Sequence, residues 1–230
     1  MASSPDAACR HCPAERTAGC LSAAQVAVVA CAPLLLTLAW TTAALVQARP
    51  YDWTAQTISV LAGRGATHSW IMAAGLLLAG GTYLGLAVQL RVLTARSRAV
   101  LAAAGTGVVV AALAPQPVQG SSPVHMGAAA CAWVALTVWP LTANLHTAAQ
   151  PLPRFRVAVT GVLLVQLAWF FLQLIDDGAF LGAVERLLML SQMAYPTYVA
   201  RHLRRPGHPG SRRRQPHQGR ASEAVPRPAV

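Results

Sequence analysis

Six stretches of about 20 mostly apolar residues recur along the chain, separated by short polar connections. They cover Ser22–Val46, Ser69–Leu90, Arg98–Ala114, Val124–Leu145, Val157–Ile175 and Leu181–Arg201. A helix rises about 1.5 Å per residue, and the hydrocarbon layer of a bilayer is about 30 Å thick, so such runs are the length a membrane span needs. Lipid offers backbone amides no hydrogen-bond partner, so each run must close its own bonds as a helix. The pattern predicts an all-α, polytopic membrane helical bundle of six transmembrane helices, with the third the shortest. Pro33 within the first helix and Pro140 late in the fourth each lack an amide hydrogen and predict bends. The first run, at roughly 25 residues, is longer than the h-region of a signal peptide and no clear cleavage site follows it.

Polar positions inside the last two runs keep a helical period. Gln166, Gln173 and Asp177 fall near one face of the fifth helix, with Trp169 between them. Glu185, Gln192 and Tyr195 share a face of the sixth. Two polar stripes on consecutive helices predict a cleft between them. Glu185 and Arg186 are adjacent and diverge by about 100°, so they cannot simply pair with each other. Arg186 is expected to find Asp176 or Asp52, and Glu185 to find His125 or Arg64.

Charge then orients the bundle. The chain has 230 residues, 55% hydrophobic and only 11% charged, against about 25% in an ordinary soluble domain. Its formal net charge of +11 comes from arginine alone, and this usage with abundant Ala, Gly and Pro points to a GC-rich bacterial genome. Arg10 and Arg16, then Arg91, Arg96 and Arg98, then Arg154 and Arg156, and finally eight arginines from Arg201 to Arg227 fall on alternate connections. Basic residues stay on the cytoplasmic side, so both termini are predicted to be cytoplasmic in a multi-pass protein of the cell membrane. The opposite connections carry only Arg49 and Arg64, both in the first, and gather acids, histidines and aromatics: Tyr51, Asp52 and Trp53 through Ser59 and His68 in the first, Pro115, Pro117 and His125 in the third, Asp176 and Asp177 in the fifth.

Residues 1–21 read as a disordered cytoplasmic arm, 22–203 as the transmembrane domain, and 204–230 as a disordered tail too poor in apolar residues to fold. Cys9, Cys12 and Cys20 lack a second well-spaced pair and are expected to be reduced thiols, not zinc ligands. The arginine-rich tail suits contact with anionic lipid headgroups, whereas the absence of interleaved aromatics speaks against nucleic acid. Gly75, Gly80, Gly81, Gly85, Gly105 and Gly107 are read as packing residues. His68 and His125 with Asp176 or Asp177 show no zinc-binding spacing, so neither metal nor cofactor is expected.

Three short segments carry a resemblance. Tyr51-Asp52 through Thr57-Ile58-Ser59-x-Leu61, the proline-containing third connection leading to His125, and Gly182-x-x-Glu185-Arg186-Leu187 occur in this order. Over roughly residues 25–203 the chain resembles the bacterial "domain of unknown function 998" family. The resemblance implies a six-helix membrane protein and no settled activity. Asp176, Asp177 and the arginine-rich tail lie outside that pattern.

The outer polar groups therefore define the candidate site. Asp177 and Glu185 are the candidate acids, with Tyr51, Asp52, Ser59, His68, His125, Trp169, Gln173, Asp176, Arg186 and Gln192 as binding residues. One reading is a cleft that binds a lipid- or isoprenoid-like amphiphile. Another is a membrane-embedded enzyme in which a carboxylic acid protonates a prenyl chain and aromatic faces stabilise the cation, a terpene cyclase. Hydrolysis is the weaker enzymatic variant, because no nucleophile–base pair is evident from spacing. A structural ion network or a transporter subunit is the remaining alternative.

Overall fold

A computed structural model describes residues 22–144 and 153–203. Within them the chain is all-helical: α1 (Ala23–Leu45), α2 (Ile58–Leu61), α3 (Trp70–Gln89), α4 (Ala95–Leu113), α5 (Pro123–Thr142), α6 (Pro153–Ile175) and α7 (Leu181–His202). The predicted cytoplasmic arm with Cys9, Cys12 and Cys20, Leu145 at the end of the expected fourth helix, and the tail from residue 204 lie outside the described residues.

Side-chain caps set several helix starts. Ser22 accepts from the Gln25 amide while the Gln25 side chain takes the Ser22 amide, a capping box that opens α1. Thr94 accepts from the Ser97 amide, so α4 starts at Ala95, three residues before the sequence reading put it. Ser122 caps α5 at the His125 amide, with Pro123 in the first turn where no amide is needed.

The six long helices close into a ring, with α1 beside α3, then α4, α5, α6 and α7, and α7 back against α1. Four glycines permit the close approaches. The Cα of Gly105 faces α3 so tightly that an added Cβ would stand 2.8 Å from the Gly80 carbonyl oxygen, and one on Gly107 would meet the Ala128 carbonyl at 2.6 Å. Gly75 and Gly80 are similarly confined, whereas Gly81 has open space. Large apolar side chains form the outer surface, Leu34 at 65% and Val165 at 70% exposure among them. An apolar exterior is what a bilayer, not water, would select.

Five helices, α1 and α3 to α6, are long and apolar enough to cross a membrane. The chain is thus a membrane-embedded, multi-pass helical protein. At the end predicted to be cytoplasmic, arginines tie helices together. Arg98 Nε donates to the Ala87 carbonyl at 2.6 Å, and Arg156 donates to the carbonyls of Pro140, at 2.7 Å, and Leu141 and to Asn144 Oδ1 at 2.9 Å. Carbonyls near a helix C-terminus lack intrahelical donors, and a cation there also meets the negative end of the helix dipole.

Candidate functional site

At the opposite end, the connection between α1 and α3 folds over the start of α7. Five hydrogen bonds hold it down. The Ala183 amide donates to the Thr54 carbonyl at 3.0 Å. Arg186 Nη1 donates to the carbonyls of Trp53 at 2.9 Å and Gln56 at 3.2 Å, and Nη2 to the Tyr51 hydroxyl at 2.5 Å. Glu185 Oε2 accepts the Ile58 amide at 2.6 Å, which starts α2. Gly182 lets the surfaces meet, since a Cβ there would collide with the Gln56 carbonyl.

These contacts correct the expected ion pairs. Arg186 is bonded to neutral oxygens and lies 5.6 Å from the ring centroids of Tyr51 and Trp53 and 6.0 Å from Trp40. Rings and a guanidinium attract through the ring quadrupole. Asp52 is not its partner, because that carboxylate caps its own loop, accepting from the Thr54 hydroxyl at 2.7 Å and the Thr54 and Ala55 amides. The Thr54 hydroxyl first, then those amides, hold the Asp52 carboxyl below its ordinary range. Asp176 is exposed. Glu185 takes neither His125 nor Arg64. Its acceptor capacity goes to the backbone, while Arg64 is exposed and His125 bonds Ser59.

Burial pushes the Tyr51 phenol up to about 12 from its ordinary 10.0, although Arg186 beside it pulls the other way. The hydroxyl donates toward the carbonyls of Gln56 and Thr57, at 2.8 and 2.9 Å.

Beneath the folded connection lies a cavity of about 710 Å³ that opens outward. Arg49, Tyr51, Gln56, Gln116, Asp177 and Glu185 supply polar groups, and Met126, Trp133, Phe170, Leu174 and Leu181 supply an apolar wall. Ser59 and His125 also line it. Of the residues singled out from the sequence, the cavity gathers Tyr51, Ser59, His125, Asp177 and Glu185.

The others fall elsewhere. Trp169 faces outward at 44% exposure, while its neighbour Phe170, 1% exposed, packs edge-on against Trp133 at 4.3 Å between centroids. Gln173 Oε1 accepts the Phe180 amide at 3.0 Å and shapes the α6–α7 turn. Gln192 bonds the Trp133 carbonyl and Thr137 hydroxyl, both at 3.0 Å, and ties α7 to α5 deeper in the bundle. His68 is exposed in a left-handed backbone conformation, φ 52°. Among the described residues no three His, Cys, Asp or Glu side chains gather as a metal site would require. The cleft thus opens among α2, α5, α6 and α7, not between the last two helices alone. Trp133 and Gln116 escaped the sequence reading because nothing in their local periodicity marks them as wall residues.

A second groove, of about 420 Å³, runs between α1 and α3. Its walls are apolar apart from Gln25, Thr82 and Gln89, and it carries no ionisable group.

A family model described as "Protein of unknown function (DUF998)" matches residues 17–202. No curated protein and no solved structure matches the chain.

Proposed function

The chain belongs to the DUF998 family of proteins of unknown function, and from that premise we propose that it spans the cell membrane six times and binds a lipid- or isoprenoid-like amphiphile in its outward cavity. The sixth span is α7. Its 22 residues rise about 33 Å, enough to cross. Its low hydropathy comes from groups turned inward, since Glu185 and Gln192 are buried whereas Leu187 and Leu190 are exposed. Six spans with most of the arginines at one end would put both termini in the cytoplasm.

One observation carries the binding reading. The cavity pairs a polar mouth with an aromatic and aliphatic wall in a volume typical of small-molecule sites. A headgroup would bond at Tyr51, Gln56 and Asp177, and a chain would lie against Trp133, Phe170 and Leu174. Mass spectrometry of the detergent-extracted protein is expected to find a co-purified amphiphile, depleted in Leu174→Trp, where an indole fills the space. Equal recovery from a folded Leu174→Trp protein would overturn the assignment.

A second reading is favoured by Glu185 lying on the same wall as Trp133 and Phe170. A protonated carboxyl could start cyclisation of a prenyl chain, and the ring faces would stabilise the cation. Cyclised product that persists in both Asp177→Asn and Glu185→Gln would eliminate this reading.

A further inference from the structure

Ser59 and His125, 66 positions apart, meet on the cavity wall with Nε2 of the imidazole 3.0 Å from Oγ of the serine. The other ring nitrogen decides which way that bond runs. His125 Nδ1 lies 2.9 Å from the Ala111 carbonyl oxygen and 3.1 Å from that of Ala114. Carbonyl oxygens only accept, so Nδ1 carries the proton and the neutral ring has its lone pair on Nε2. Ser59 therefore donates to His125.

This is the arrangement of an activated nucleophile: a hydroxyl bonded to a base, and the base oriented by a third group. Here the end of α4 supplies the third group as backbone carbonyls. The ring is shielded, at 2% exposure, while the half-buried Ser59 opens onto the cavity. The Gln116 side-chain amide lines the same cavity, and its Nε2 rests 3.3 Å from the Met126 sulfur, a weak acceptor.

We propose that Ser59 and His125 form a nucleophile–base pair that transfers the acyl group of an ester-bearing amphiphile. The proposal rests on the amphiphile-binding reading of the cavity and names the substrate class. Ser59 Oγ bonds to the ester carbonyl carbon, the carbonyl electron pair moves to its oxygen, and the serine proton passes to His125 Nε2. Such an oxygen needs a donor, and the Gln116 amide, which lines the same cavity, is the one we assign to it. When the carbon–alkoxy bond breaks, the leaving oxygen takes the proton from Nε2, giving acyl-Ser59 and an alcohol. Water or a second alcohol then adds to the acyl carbon, giving its proton to Nε2. Ser59 departs and recovers that proton, leaving a carboxylic acid or a new ester. No oxidant or reductant is required.

The test treats the full chain, purified in detergent, with a fluorophosphonate probe and maps the adduct by mass spectrometry. A phosphonyl adduct on Ser59 is expected, absent in Ser59→Ala and formed about 100-fold more slowly in His125→Ala, with partial rescue by added imidazole. Imidazole rescue separates a base from a residue that merely pins α2 to α5. The co-purified amphiphile is measured on the same wild-type samples. Wild-type protein that retains the amphiphile yet gains no adduct on Ser59 would overturn the nucleophile and leave the binding reading standing. An adduct on Ser59 with no amphiphile in any sample would support the pair and overturn that reading instead.

Discussion

Glu185 accepts the backbone amide of Ile58 at 2.6 Å, joining residues 127 positions apart, and that one bond sets where α2 begins. Ile58 is buried at 1% exposure, so its amide has no ready replacement in water. Removing the acceptor leaves a buried donor bare, a cost of about 1–3 kcal/mol. Glu185→Ala should therefore unfold at a lower temperature in detergent. Glu185→Gln keeps an acceptor oxygen and should lose less than half as much. Equal losses in the two variants would show that the amide bond is not what the side chain contributes.

Arg186 joins the same connection to α7 through a different chemistry. Its guanidinium reaches three carbonyls, of Trp53, Gln56 and Gly182, and the Tyr51 hydroxyl, with aromatic rings around it. A lysine ammonium is a point charge with three donors and lacks the planar fork that spans these acceptors. Arg186→Lys is expected to fail nearly as badly as Arg186→Ala, each destabilising by on the order of 3 kcal/mol. Limited proteolysis between residues 50 and 57 would report the released connection. Full protection in Arg186→Lys would mean that charge alone suffices.

Tyr51 gives the connection an alkaline limit. Its phenol is raised from 10.0 to about 12, so the folded state holds a proton that the unfolded chain gives up earlier. A raised folded value means the contribution is complete below pH 10 and is lost as pH climbs toward 12. Wild-type protein should lose stability across that window, and Tyr51→Phe should lose less over it. Ultraviolet difference titration of the two proteins would place the Tyr51 phenolate directly. A phenolate forming near pH 10 would mean that the hydroxyl is solvated, not buried.

All six long helices could be read from the sequence because hydrocarbon imposes a length and a polarity on a span, and five of them meet both requirements. Contacts across the chain could not. The start of α2 depends on Glu185, and the Ser59–His125 bond depends on how α4 presents the Ala111 and Ala114 carbonyls. Neither leaves a local period. Of the stripe Gln166, Gln173 and Asp177 only Asp177 lines the cavity, and the α6 ring on its wall is Phe170, not Trp169. One residue is about 100° of helix, which separates a cavity wall from the lipid-facing surface.

The glycines of α3 and α4 put packing to a sharper test, because two with similar local sequence face different surroundings. Gly105 abuts the backbone of Gly80, and a Cβ added there would stand 2.8 Å from a carbonyl oxygen that cannot rotate away. Relief would require the two helices to separate, and overpacking of this kind costs about 1–3 kcal/mol. Gly81, one residue after Gly80, meets nothing within 4 Å. Alanine there adds no clash and removes backbone freedom from the unfolded chain, a gain of about 0.5–1 kcal/mol. Gly105→Ala should thus lower the thermal unfolding temperature and Gly81→Ala should hold or raise it, measured side by side in one detergent. Two shifts of the same sign would contradict the close α3–α4 contact.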